Sequence, residues 1–220
     1  MKTAALTHLG PPGPAERRRL LRLLSRPAAE AARLLLGQVL VRRVAGRTLA
    51  VRLVETEAYL GPDDPAAHAF HGRTPRTEPL WGPPGTVYVY FIYGMHHCLN
   101  VTADREGMPG CVLIRAAEPL TPSLEPLACR GPSRLCRALR LDTRQSGAYL
   151  FAPRSALYLR EGRAPRTIAV SPRVGIRRAA DRPLRFFDAG SPAVSAFRPS
   201  RPRDVAARGR RRSLPPPSRG

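Results

Sequence analysis

The chain has 220 residues, enough for one domain with a real core. Its 37 Lys+Arg against 16 Asp+Glu leave a charge of +21, which suits a polyanionic partner without separating DNA from RNA or an anionic membrane surface. No apolar run is long enough to span a bilayer, no secretory apolar core opens the sequence, and Cys98, Cys111, Cys129 and Cys136 lack the spacing of a zinc site.

Residues 1–14, rich in Gly, Pro and Ala, predict a flexible tail, and Glu16 to Leu24 (ERRRLLRLL) a basic helix. Pro27 can open a second helix that Gly37 closes. Gln38 to Arg43 and Arg47 to Tyr59 read as strands joined by a turn at Ala45-Gly46. Pro62 to Pro84, crowded with Pro, Gly, His and Arg, reads as a long loop, and such loops in a compact domain are often functional. Val87 to Tyr93 is a dense β-branched and aromatic strand, with Cys98 to Thr102 and Cys111 to Ala116 as further strands turning through 106–110. Pro132 can start a short helix through Leu139, and Ala156 to Arg160 and Thr167 to Val170 suggest more strands. From Arg198 the sequence is Arg, Pro, Ser and Gly with little apolar content, which predicts a disordered basic tail over 198–220.

Two acids stand two apart in Val54-Glu55-Thr56-Glu57-Ala58-Tyr59. Residues two apart in a strand share a face, so Leu49, Val51 and Leu53 put Glu55 and Glu57 on the side they bury, barring a bulge. Burying two carboxylates is costly unless they are paired. Either the strand ends there and both acids are solvated, or one is a general base whose pKa is raised by burial or by its neighbour. Tyr88 and Tyr90 share a face, and Tyr88 fits a tyrosine-lined core; Tyr93, followed by Gly94, is expected to protrude. A protruding side chain beside an aromatic pocket is what base flipping requires: one residue fills the gap in the stack while others sandwich the extruded base. His68 and His71 lie in the long loop without a third ligand, so no metal is expected. Arg115 ends an apolar strand and wants a carboxylate or a phosphate. Lys2 is the only lysine, so an amine for Schiff-base chemistry could come only from the N-terminal region.

In order along the chain, VETEAYLGPDDPAAH, GTVYVYFIYGMHHCLNV, CVLIRAAEPL, CRGPSRLCRAL, RVGI and PLRFFDAGSPAVS resemble the alkyladenine (3-methyladenine) DNA glycosylase family, from about Leu34 to Ser195. The resemblance implies an α+β fold, a single domain over 15–197 around a curved, mostly antiparallel β-sheet with a few short helices. It implies Glu57 as the general base that activates water, with Arg115 and the backbone carbonyl of Val174 holding that water. Tyr59 would stack on one side of the flipped base and His68 and Tyr90 on the other. Tyr93 would be the wedge in the duplex, with Met95 beside it and Arg73 as a further DNA contact. Asn100 would crowd the 2-amino group of guanine. The sequence departs from the family's pattern at Pro119 to Cys129, which is short, and at His96 and His97, which stand where aromatic or apolar residues are common.

The expected partner is therefore double-stranded DNA containing damaged purines, with 3-methyladenine, 7-methylguanine, hypoxanthine and ethenoadenine all open as substrates. A cytoplasmic monomer is expected, with no cofactor, no membrane association and hydrolysis to an abasic site. Two other readings remain: a nucleic-acid-binding protein that kept the scaffold but lost its chemistry, and a sugar hydrolase using the Glu55/Glu57 pair. The intact set of Glu57, Tyr93 and Arg115 speaks against the first; a single tryptophan, Trp81, and the +21 charge speak against the second.

Overall fold

The computed structural model describes residues 9–196. The expected flexible stretch 1–14 is docked from residue 9 onward. The Leu9 carbonyl accepts from the Tyr158 hydroxyl, and the Gly10 carbonyl from Arg160 at 2.7 Å. The basic tail expected over 198–220 lies outside the described residues.

Helix α1 (Pro14–Leu24) starts on a proline, whose fixed φ and missing N–H suit a first turn, and buries Leu20 and Leu24, one turn apart. Helix α2 (Ala28–Leu34) buries Ala28, Ala31 and Ala32. These small side chains let its backbone approach the sheet, and the Thr56 hydroxyl donates to the Ala32 carbonyl at 2.8 Å. The strands are β1 (Val39–Val44), β2 (Arg47–Tyr59), β3 (Val87–Ile92), β4 (His96–Ala103), β5 (Gly110–Pro119), β6 (Leu157–Arg160), β7 (Ile168–Ser171) and β8 (Arg185–Asp188), with α3 (Pro132–Ala138) between β5 and β6. They form one curled sheet in the order β3-β4-β5-β2-β1-β6, every pairing antiparallel. The long strand β2 organises it: residues 47–52 pair with β1, while Glu55, Thr56 and Glu57 pair with β8, which in turn pairs with β7. Sequence patterning did not mark β8, a four-residue strand. The long loop carries three short 3₁₀ turns, at Gly61–Asp63, His68–His71 and Glu78–Trp81. Among the described residues no helix is long and apolar enough to cross a membrane.

The main core lies on the face covered by the helices, where Leu20, Leu24 and Leu35 meet Leu53, Val89, Leu99, Val112 and Ile114. Here the expectation for the two acids needs correcting. Val54 has no partner on β5, Arg115 has none on β2, and the register shifts on both sides of Glu55. Leu49, Val51 and Leu53 belong to the helix-side core, and so do Ala58 and, through its bond to α2, Thr56. Val54 and Ala116 instead pack with Ala193 on the opposite face, where Glu55 meets Arg115. Two consecutive residues on each strand thus turn the same way, a paired bulge that shifts the alternation by one. Glu55 and Glu57 lie on the face away from Leu53, not with it. Both are nonetheless 0% exposed, because the chain after β7 and the chain after β8 close over them.

Gly37, at the end of the α2 turn, has φ +86°, and a Cβ there would sit 2.2 Å from the Arg163 carbonyl oxygen. Two backbones cross at this point with no room for a side chain. Gly37→Ala is expected to cost at least about 2 kcal/mol, lowering Tm by roughly 5 °C, which thermal unfolding of the two proteins would measure.

Candidate active site

Glu55 is fully buried and receives four donors. Its Oε1 accepts from Arg115 Nε at 2.8 Å, Arg185 Nε at 2.7 Å and the Ser195 hydroxyl at 2.7 Å, and its Oε2 accepts from the Ser195 amide at 2.6 Å. Burial alone would raise its pKa, but the charges and hydrogen bonds of Arg115 and Arg185, with the Ser195 amide, hold it below the ordinary carboxylate value. Arg185 also lies over the Phe187 ring at 4.5 Å, its neighbour on the same face of β8.

Glu57, two residues on, has a leaner environment. Its Oε1 accepts from the Val174 amide at 2.7 Å and lies 3.3 Å from Arg115 Nη1, and its Oε2 accepts from the Tyr59 hydroxyl at 3.0 Å. Burial pushes its pKa up, with the Glu55 charge adding to the rise, and Arg115, the Val174 amide and Tyr59 only partly oppose it. The same strand therefore carries one carboxylate held ionised and one left basic. Val174 meets Glu57 through its amide, while the role that the family resemblance implies for it falls to its carbonyl.

Tyr59, Arg115 and Val174 all border a cavity of about 350 Å³. Its walls include every residue expected to touch a flipped base: Tyr59, His68, Tyr90 and Asn100. The alternation of β5 explains one wall, since Cys111, Leu113 and Arg115 face the cavity while Val112 and Ile114 face the core. His68 Nδ1 lies 2.9 Å from the Tyr88 hydroxyl, and its ring packs edge-on against Tyr90 with centroids 4.5 Å apart. Burial, with Arg76 nearby, lowers the His68 pKa, so the ring is neutral at pH 7. Burial raises the Tyr88 hydroxyl to about 12 and Tyr90 further still. Asn100 is fixed by donating from Nδ2 to the Tyr88 carbonyl at 3.2 Å. A wider groove of about 930 Å³ over the β1–β2 hairpin is lined by Arg43, Arg47 and Arg154 but by no acid, whereas the smaller cavity carries the three contacts of Glu57 on its walls. Among the described residues no His, Cys, Asp and Glu are grouped to hold a metal ion.

The β3–β4 hairpin turns through three residues, Tyr93, Gly94 and Met95, the first two with positive φ (+54° and +70°). The turn leaves Tyr93 80% exposed at the cavity's edge and Met95 71% exposed, and His96 also borders the cavity. Arg73 is solvent-exposed but already engaged, with Nε 2.6 Å from Glu78 Oε2. The short segment after β5 is pinned at both ends: the Leu120 amide donates to Ala50 at 2.8 Å, and the Ala117 amide to Cys129 at 3.2 Å.

Sequence reasoning missed Arg173, Asp64, Arg185 and Ser195, although all four lie in the segments that carried the family likeness. Arg173 is buried, lies 4.6 Å over the Tyr59 ring, and donates to the Ala58 carbonyl at 3.0 Å and to both oxygens of Asp64, 2.8 Å to Oδ1. Asp64 also accepts the amides of Leu60 and Ala66, both at 3.2 Å. This ion pair latches the strip holding Val174 against the end of β2. The available signal was a pair of charges, Asp64 and Arg173, flanking otherwise small residues; nothing in their spacing links them.

A family model described as methylpurine-DNA glycosylase matches residues 22–192. A protein of Methanocella arvoryzae is 43% identical over 188 residues, covering 79% of this chain and 94% of its own length. One of Synechococcus elongatus is 47% identical, covering 79% of this chain and 88% of its own. Both are provisionally named 3-methyladenine DNA glycosylases. The mouse DNA-3-methyladenine glycosylase is 44% identical over 77% of this chain and 58% of its own length.

Removing the Asp64 carboxylate leaves a buried guanidinium without its counter-charge. Asp64→Ala is expected to destabilise the fold by about 3 kcal/mol. Faster hydrogen exchange at the Val174 amide than at the β1–β2 amides would show that the strip has come loose from Glu57.

Proposed function

The chain belongs to the methylpurine-DNA glycosylase family, and from that premise we propose that it excises damaged purines from duplex DNA, acting as a monomer, by a water that Glu57 activates. One observation carries the reading: a wholly buried carboxylate with a raised pKa, whose three contacts all border an aromatic cavity large enough for a base. As a glycosylase the enzyme hydrolyses an N-glycosyl bond.

Tyr93 enters the duplex at the vacated position, and the purine rotates into the cavity between Tyr59 and the His68/Tyr90 pair. An N-alkylated purine carries a positive charge, and a neutral His68 does not repel it. The Arg115 charge is balanced by Glu55, so the cavity is not a cationic trap that would reject such a base. Water between Glu57 and C1′ gives its proton to the carboxylate and bonds through its oxygen to C1′ as the C–N bond breaks and its electron pair leaves with the purine. The cationic purine leaves without further help, which makes 3-methyladenine and 7-methylguanine the least demanding substrates; hypoxanthine and ethenoadenine need protonation as they depart. Asn100, fixed against Tyr88, crowds the 2-amino group of guanine. Val174 and Arg115 hold the water. With lysine confined to position 2, the product is an abasic site without strand cleavage.

Glu57→Gln keeps an acceptor for the Val174 amide and cannot take a proton. It is expected to bind lesion DNA like the wild type, lose roughly 10²–10⁴-fold in single-turnover release of 7-methylguanine, and melt at or above the wild-type Tm at pH 7. The last sign follows from the raised pKa. A carboxyl that binds its proton more tightly when folded opposes folding once pH passes its folded value, and the amide removes that opposition. The wild-type rate should fall as the pH drops through the raised Glu57 pKa. Release at wild-type rates by the glutamine variant would sink the assignment.

Tyr93→Ala removes a side chain with little to pack against. It should leave Tm within about 1 °C of the wild type while weakening base flipping, read as loss of fluorescence change with an ethenoadenine duplex. An unchanged flipping signal would remove Tyr93 from the wedge role.

A further inference from the structure

We propose that Glu55 is a positioning residue: by binding Arg115 and Arg185 itself, it keeps both cations from pairing closely with Glu57 and so leaves Glu57 able to accept a proton. The inference rests on the reading of Glu57 as the base. Its ground is an asymmetry in distance. Arg115 presents Nε to Glu55 at 2.8 Å but only Nη1 to Glu57 at 3.3 Å. Arg185, directly opposite Glu57 in the β2–β8 register, reaches past it to Glu55 at 2.7 Å. Ser195 adds two more donors to Glu55 and none to Glu57. A close, bidentate Arg–carboxylate pair would make Glu57 a poor base.

The charged and titratable groups facing Glu57 are Arg115 from β5, Arg185 from β8, Glu55 and Tyr59 from its own strand, Arg173 from the strip after β7, and Cys98 from β4. Only Glu55 is an anion held by two of these cations. The paired bulge makes this possible, because it turns Arg115 and Glu55 to the same face at the same level.

The test is the pH profile of single-turnover release of 7-methylguanine, whose leaving group is already cationic, so the acid limb reports the enzyme. In Glu55→Gln, Arg115 and Arg185 are freed toward Glu57. The acid limb should move down by about one pH unit and the plateau rate should fall at least tenfold, with DNA affinity unchanged. In Arg185→Gln, Glu55 must rely on Arg115 and draws it away, so the limb should move up. Glu55→Asp, keeping the charge, should restore most of the wild-type profile. Shifts of opposite sign distinguish positioning from a packing role, which would lower rate and Tm together and leave the limb in place. Should Glu55→Gln not fold, Ser195→Ala tests the same point, since removing one donor to Glu55 should move the limb up by a smaller amount. An unmoved acid limb in every folded variant overturns the proposal. No base release by the wild-type protein would instead overturn the reading on which it rests.

Discussion

A carboxylate taken out of water must find its donors in the protein, and Glu55 finds four from three separate parts of the chain. That demand shapes the surrounding fold. Glu55 must leave the alternation that Leu49, Val51 and Leu53 set on β2 to meet Arg115, and β5 answers with Ala116 turned to the same face as Arg115, which is why the bulge is paired. Residues 185–188 must form a strand beside the second half of β2 to deliver Arg185, and the chain must return at Ser195 to cap the remaining oxygen. The site is thus closed by segments far apart in sequence, each tied to one buried anion.

Arginine is the cation throughout this network, at 115, 173 and 185. Its guanidinium stays protonated at any pH the fold survives, and its planar fork can serve two acceptors at once, as Arg115 and Arg173 do. A lysine at these positions could lose its proton on burial and leave Glu55 or Asp64 unmatched. Whatever produced the arginine-rich composition, the result is a centre whose cations do not titrate around the carboxylate proposed as the base.

Much of the fold was legible in the sequence. The β-branched and aromatic run of β3, the Ala45-Gly46 turn and the proline-led helices each follow from a local preference that the tertiary structure keeps. What failed is non-local. The period-two rule placed Glu55 and Glu57 beside Leu53 because a bulge leaves no mark in residue type, and β8 escaped because four residues with two phenylalanines read equally well as loop or strand. At the site, Glu57 was suspect from the cost of burying acids, Arg115 from its place at the end of an apolar strand, and Tyr93 from the glycine after it. Tyr59, His68 and Asn100 acquired roles from family likeness alone. Arg173 and Asp64, 109 positions apart, could be joined only by seeing the chain fold.

The turn at Tyr93 and Gly94 carries a consequence for the protein's history. A tyrosine with positive φ and four-fifths of its surface in water is an unfavourable choice for a hairpin tip, where Asn-Gly or Asp-Gly would relieve the strain and the exposure together. Selection for thermostability alone, in the laboratory or in a lineage without alkylation damage, would find these replacements early. The tip would then erode before the buried carboxylates did, leaving a well-folded protein with an intact cavity but without the side chain proposed to open the duplex in front of it.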